Sequence, residues 1–423
     1  MKNCKIEIYN VGPIKEVKLD LNRVNVFMGE QSTGKSTISK IISYCSWVEK
    51  DIALQQSFEK YTLEKNYFIE KLAEFHKMRG YFNDESIISY ESETVKFCYS
   101  LNNFDISWVK QFEYKRSKIS YIPSERNIVI LPEMEKIELS NNNIRSFLFD
   151  WFDARKLYTE ENKLSILDLN LDYYYTESAK ENHIVNNGVY DILLSNGSSG
   201  IQSITPLVVM IDYLTAKIYL DAKSLSYEAK QALTETSKIL LNELLMKPFF
   251  ENYNEAPLEE RAKMIVSLGK RIEEGDELAL KCAFNYSKAK NNLFKTSRTK
   301  LIIEEPEQNL FPATQQMLVY YLLKSINNDL DHNLTITTHS PYILYAINNC
   351  IMASLVADKL SDDEKEKLNC LDSKIDPKLI SIYEIKDGKI NQIQQEDGLI
   401  GENFFDAQMR EVMDEFYLML NHY

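Results

Sequence analysis

Nine consecutive residues, Gly29-Glu30-Gln31-Ser32-Thr33-Gly34-Lys35-Ser36-Thr37, have the types and spacing to wrap an anion. They fit the pattern G-x-x-x-x-G-K-[ST], in which two glycines let the chain turn so that successive backbone N–H groups point inward. A helix opening at Gly34-Lys35 adds the positive end of its dipole. The chemistry this predicts is a cradle for a nucleoside triphosphate. Lys35 reaches the β- and γ-phosphates, Ser36 ligates Mg²⁺, and Thr37 sits at the α-phosphate. A chance glycine turn would not need four fixed positions between a strand and a helix.

A second chemical run lies far downstream. Leu301-Ile302-Ile303-Glu304-Glu305-Pro306-Glu307 is an apolar strand ending in acids. At the carboxyl edge of an α/β sheet, next to a phosphate loop, the first acid would support Mg²⁺ and the second would polarise an attacking water. Some thirty residues on, Leu334-Thr335-Ile336-Thr337-Thr338-His339-Ser340-Pro341 supplies another buried strand, ending in a histidine. A lone histidine at a strand end is ordinarily structural. After a two-acid strand it is expected to contact the γ-phosphate and orient the catalytic acid. Ser198-Ser199-Gly200-Ile201-Gln202-Ser203 opens a helix and offers either a second anion site or a plain serine cap.

The elements that must position these residues are legible in the pattern. Residues 3–28 read as a β-hairpin turning at Gly12-Pro13, then a strand over 24–28. A helix follows the loop, and residues 48–79 keep apolar positions at helical intervals. Strand-like runs follow at 87–99, 104–113 and 118–122. Residues 144–160 read as a helix, 165–195 as strands with a turn at Asn186-Asn187-Gly188, and 204–220 as an apolar helix. From 226 to 295 nearly everything is helical. The strand at 299–303, helix at 312–328, strand at 334–338 and helix at 341–356 complete an α/β core. An acidic linker (357–376), a hairpin at Asp387-Gly388 and an acidic amphipathic helix (402–421) follow.

Composition narrows the classes. Sixty-three acidic against 49 basic side chains give a net charge of −14, which does not suit a general nucleic-acid coat. Residues 281–300 hold Lys281, Lys288, Lys290, Lys295, Arg298 and Lys300 without an acid, and are expected to be a solvated helix face. The six cysteines are scattered with no C-x-x-C pair, so neither a zinc cage nor a disulfide framework is signalled. With no run of eighteen apolar residues, the expectation is a cytoplasmic protein without a membrane partner.

The order of phosphate loop, serine–glycine helix, two-acid strand and T-T-H-S-P strand resembles the ABC-type ATPase head. It is similar in particular to the branch that holds SMC-like, recombination-mediator-like and OLD-family ATPases. Glu304-Glu305-Pro306-Glu307-Gln308-Asn309-Leu310-Phe311-Pro312, Thr337-Thr338-His339-Ser340-Pro341-Tyr342-Ile343-Leu344 and Tyr121-Ile122-Pro123-Ser124-Glu125-Arg126 carry the likeness. The resemblance implies an α/β fold with a mixed-sheet core and an N-terminal antiparallel hairpin. It assigns 1–45, 118–220 and 298–423 to the core, 46–117 to a mixed helix–strand insertion and 221–297 to a helical one. It implies ATP and Mg²⁺ as cofactors, with the run 29–37 binding the nucleotide. Glu304 and Ser36 serve the metal, Glu305 is the general base and His339 the switch. Ser199, Gly200 and Gln202 contact the nucleotide of the opposite subunit, so a homodimer or larger oligomer with composite sites is expected.

This chain departs from that pattern at three places. Glu304 stands where an aspartate is common. Ile201 takes the place of a second glycine, leaving Leu194-Ser195-Asn196-Gly197 as a competing alignment. The lid segment lacks a glutamine, leaving Glu125 or Arg126 for its part.

Among tasks for such an ATPase, the resemblance favours a bacterial antiphage defence subunit, similar to PARIS-like or Septu-like ATPases. Its trigger would be DNA or a phage protein. Residues 340–423 are too few for a fused nuclease, so a separate effector such as a nuclease is expected. The alternative is an SMC-like DNA-repair ATPase, but residues 221–297 lack the sustained heptads of a long arm.

Overall fold

A computed structural model describes residues 4–101, 103–131, 134, 140–186, 188–220, 227–420 and 422–423. Asn187 of the expected turn, and residues 221–226 at the start of the expected helical insertion, lie outside the described residues.

The chain opens with strands β1 (Cys4–Val11), β2 (Ile14–Leu21) and β3 (Val24–Gly29), then helix α1 (Lys35–Gln55). β1 and β2 pair antiparallel and bury alternate residues, the period of a half-covered strand. Every residue of β3 is buried, as in a parallel sheet covered on both faces. α1 passes the expected boundary at residue 45 and ends where Gln56 turns left-handed (φ 52°).

Helices α2 (Glu59–Leu63) and α3 (Tyr67–Phe75) precede the antiparallel strands β4 (Ile87–Glu91), β5 (Val95–Ser100) and β6 (Asn103–Trp108). These strands do not form a sheet of their own. β4 pairs with β1, and the three prolong the main sheet at that edge. β7 (Ser117–Ile122) and α4 (Asn143–Arg155) lead to a small antiparallel sheet of β8 (Leu164–Ser165), β9 (Asp172–Thr176), β10 (Glu181–Asn186) and β11 (Tyr190–Leu193).

α5 (Ser199–Thr215) is the apolar core helix. The stretch Ser199–Tyr219 is long and apolar enough to cross a membrane, but 67% of it is buried within the protein. Next come α6 (Tyr227–Leu240), a π-helical turn over Leu241–Met246, α7 (Leu258–Glu273) and α8 (Glu277–Phe294). The last two, of 16 and 18 residues, are each about 25 Å long at 1.5 Å per residue. The basic run beside them forms no continuous patch: Lys288 pairs with Glu113, Arg298 with Asp331 and Lys300 with Glu49.

β12 (Arg298–Glu304), α9 (Pro312–Ile326), β13 (Asn333–Thr338) and α10 (Pro341–Val356) return the chain to the sheet. A short α11 (Asp362–Lys365), the hairpin of β14 (Ile380–Lys386) and β15 (Lys389–Gln392), and α12 (Phe404–Leu420) complete it. The hairpin turns through Asp387 and Gly388, both at positive φ.

The main sheet has eleven strands in the order β6-β5-β4-β1-β2-β15-β14-β3-β13-β12-β7. β14, β3, β13, β12 and β7 run parallel; the strands from β6 to β2 run antiparallel. The architecture is thus the expected α/β class, a mixed sheet with an N-terminal antiparallel hairpin. Ile38, Ile41, Cys45 and Val48 of α1 cover one face, with Ile6, Ile8 and Phe27. On the other, Trp151, Leu207, Ile211, Leu318 and Ile347 from α4, α5, α9 and α10 pack on Val26, Ile303 and Ile336.

Candidate active site

Parallel strands bring their carboxyl ends to one edge, where α/β sheets bind ligands. In register, Glu304 lies opposite Thr337, Thr337 opposite Phe27, and Thr338 opposite Met28. β13 sits between β3 and β12, so the loops after Gly29, Glu304 and Thr338 leave the sheet side by side. Three segments, one of them more than 270 residues before the other two in sequence, form one site by pairing alone.

The loop after β3 depends on its glycines. Gly29 (φ 143°) has the Ile385 carbonyl oxygen 2.5 Å from where a Cβ would stand, and Gly34 (φ 109°) has Ile14 Cδ1 at 2.3 Å. Any side chain at either position would displace the loop. The Thr33 hydroxyl donates to the Glu30 carbonyl at 2.9 Å and tightens the turn. The Lys35 ammonium donates to the Gly29 and Glu30 carbonyls at 2.8 and 2.5 Å. Burial lowers the Lys35 pKa to about 8, against the pull of Glu305, Glu307 and Glu30. A lysine so desolvated gains most from an anion, which would restore its charged form. Glu30, Gln31 and Ser32 are exposed at the rim, and Thr37 is buried beneath it.

The two adjacent acids separate because the strand ends between them. Glu304 closes β12 and is buried, whereas Glu305 takes a left-handed backbone (φ 44°) that a non-glycine residue rarely adopts. Burial raises the Glu304 pKa, opposed by Lys40 and by the Tyr121 and Ser36 hydroxyls that face it. Its Oε1 is buried without a hydrogen-bond partner. An orphaned carboxylate oxygen facing the Ser36 hydroxyl suits a hard cation. Mg²⁺ takes one or two protein oxygens and fills its shell with phosphate and water, so Ser36 and Glu304 fit it, and the longer Glu304 is accommodated. Among the described residues, no group of three or more histidine, cysteine or acidic side chains offers an all-protein metal cage.

Glu305 is half-buried, and its Oε1 lies 3.5 Å from Nε2 of His339. The histidine is the main reason its carboxyl sits below the ordinary range; Lys35 and Arg126 add to this, and partial burial opposes it. Glu305 is therefore ionised at neutral pH and able to take a proton from water.

Two further residues hold this arrangement: Glu307, which carried no assigned role in the sequence, and Arg126, one of the two lid candidates. Glu307, half-buried with its pKa raised by desolvation, accepts the backbone N–H of His339 at 2.6 Å. Arg126 is fully buried. It donates to the carbonyls of Glu304 (3.1 Å), Glu305 (3.0 Å) and Pro306 (3.2 Å), and to the Ser203 hydroxyl (3.2 Å) and carbonyl (3.4 Å). Its guanidinium is thus committed to backbone and α5. Glu125 is exposed, and its charge helps raise the Glu304 pKa. Of the two lid candidates, Arg126 is taken up by these bonds, and Glu125 keeps an exposed carboxylate.

Ser199, Gly200 and Gln202 stand apart from this cluster. Ser198 caps α5, accepting the Ile201 N–H, so the helix begins at Ser199-Gly200 rather than at the competing Leu194 run, which forms a short 3₁₀ turn. A Cβ on Gly200 would approach the Asn309 carbonyl to 3.1 Å. The Gln202 amide donates to the Ser195 and Gly197 carbonyls at 2.8 and 3.0 Å, so it braces its own loop. Ser199 is exposed at the helix start.

No protein-family model and no curated protein matches the chain. Among solved structures, the SMC head domain from Thermotoga maritima is similar over 94% of this chain and 100% of its own, at 11% identity and a TM-score of 0.36. SmcHead bound to the C-winged helix domain of ScpA aligns over 93% of this chain and 97% of its own, at 9% identity and a TM-score of 0.37. The recombination mediator protein RecF of the RecFOR pathway aligns over 93% of this chain and 99% of its own, at 12% identity and a TM-score of 0.28. Likeness this distant carries no functional weight. What the site can do rests on its own geometry.

Proposed function

We propose that this chain binds ATP with Mg²⁺ at the Gly29–Thr37 loop and hydrolyses it to ADP and phosphate. The observation that carries the reading is the meeting of that loop, the Glu304–Ser36 pair and the Glu305–His339 pair at one sheet edge. The loop N–H groups and Lys35 bind and orient the phosphates. Glu305 takes the proton of the attacking water, and His339 holds the carboxylate in place. Bound at Ser36 and Glu304, Mg²⁺ would neutralise charge developing on the phosphoryl oxygens. Calorimetric titration with Mg-ATP tests the binding half. The wild type should bind and Lys35→Ala should not; equal affinities would contradict the loop assignment.

The active form in this reading is a homodimer or larger oligomer. The exposed Ser199-Gly200 end of α5 closes over the partner's γ-phosphate, and the 29–37 loop faces outward to receive it. The task is that of an ATPase subunit in a bacterial antiphage defence system, controlling a separate effector such as a nuclease. Supporting it are the quoted motifs and the shortness of α7 and α8, about 25 Å each, with no longer arm for holding DNA among the described residues. The neighbouring gene tests this: a nuclease supports it, a permease contradicts it.

A further inference from the structure

α12 buries none of its residues, yet it carries an apolar stripe. Met409, Val412, Phe416 and Met419 recur at intervals of three, four and three, with Met413 and Leu420 beside them, and each is between 39% and 66% exposed. Such a stripe is the seam of a helix that packs on another helix. The same spacing recurs on α10, where Tyr342, Tyr345, Asn349 and Met352 face outward; the two tyrosines and the methionine are 41–49% exposed. α10 and α12 are 16 and 17 residues long, so the two stripes match in length as well as period.

The helices of one chain do not cover each other. The Tyr345 hydroxyl donates to Asp406 at 2.7 Å, and the Ile400 N–H donates to Asn348 at 2.9 Å, which pins the base of α12 against α10. Beyond that point residues 407–420 are exposed, and the α10 stripe is left uncovered. Area then selects the occupant. Two α12 helices packed on each other would cover that stripe alone and leave the α10 stripe in water, whereas α12 seated on α10, which contains no charged residue, covers both.

We infer that α12 of one copy lies along α10 of a second copy, and reciprocally, in a two-fold exchange that needs no nucleotide. Burying about ten half-exposed large apolar side chains on each copy removes on the order of 1,500 Å² of surface, the size of a specific interface. Tyr342 is three residues from His339, so the seated helix abuts the strand end that carries the switch residue. The exchange goes beyond the nucleotide reading and does not depend on it.

Light scattering over a concentration series, without nucleotide, tests it. The wild type should be dimeric, and so should Lys35→Ala. Phe416→Glu and Met352→Glu should each be monomeric, with unchanged circular dichroism. An equimolar mixture of the two should regain dimers, because one junction then joins an intact α12 to an intact α10. A monomeric wild type would overturn the proposal. So would a Met352→Glu variant that stays dimeric, since the seam would then be α12 against α12 or against some other surface.

Discussion

His339 meets two acids of the 304–307 turn: its Nε2 lies 3.5 Å from Glu305 Oε1, and its backbone N–H donates to Glu307 at 2.6 Å. The backbone that carries the ring is thereby held by the Glu307 carboxylate. Replacing the ring should leave that backbone bond and the phosphate loop intact. His339→Ala is therefore expected to bind Mg-ATP with little change, while steady-state turnover falls by about one to two orders of magnitude, less than loss of a general base itself. Unchanged turnover would show that Glu305 needs no orienting partner.

Arg126 makes its contribution through backbone. Arg126→Leu leaves the carbonyls of Glu304, Glu305 and Pro306 without their buried donor, at about 1–3 kcal/mol for each group that finds no water. Denaturant unfolding should show a loss of at least about 3 kcal/mol. Arg126→Lys should recover only part of it, since one ammonium cannot reproduce the fork. A loss below 1 kcal/mol in Arg126→Leu would mean the turn holds itself.

His76 supplies a test by pH. It is fully buried against Tyr121, neither ring nitrogen has a partner among the described residues, and burial lowers its pKa to about 3. The unfolded chain takes up this proton below about pH 6.5 and the folded chain does not. Between these values stability falls as pH falls, by about 2 kcal/mol at pH 5 relative to neutrality. His76→Phe should flatten that part of the stability–pH curve, measured by urea unfolding from pH 7 to pH 5. An unaltered slope would place its origin in other groups.

Composite sites predict complementation. Lys35→Ala and Ser199→Arg should each be inactive alone. In a mixed dimer, one site joins the intact loop of the second variant to the intact α5 start of the first. ATPase activity should partly return on mixing. No return, with subunit exchange verified by mass, would mean that each chain works alone.

The site's segments are legible because each is a local pattern. Val24–Gly29 reads as a buried strand before a glycine loop, and Pro341–Val356 begins at a proline after a serine cap. The sheet order is not local. The runs 87–99 and 104–113 read as strands, though the first divides into β4 and β5 and the second ends at Trp108, and their joining β1 depends on pairing Ile88 with Ile8, eighty residues earlier. Arg126 reads in sequence as a lid candidate, and only the turn of the 304–306 carbonyls explains its burial. The left-handed backbone at Glu305 has no composition signal either; it is what separates the buried Glu304 from the half-exposed Glu305.

The account stands or falls on chemistry at Glu305. Glu305→Gln keeps size and polarity but removes the proton acceptor. Measured side by side with the wild type, Mg-ATP affinity by calorimetry and phosphate release at saturating ATP give the direct answer. The expected result is near-equal affinity with turnover lower by about 10²-fold or more. Turnover equal to the wild type, or a wild type that neither binds nor hydrolyses ATP, would contradict it.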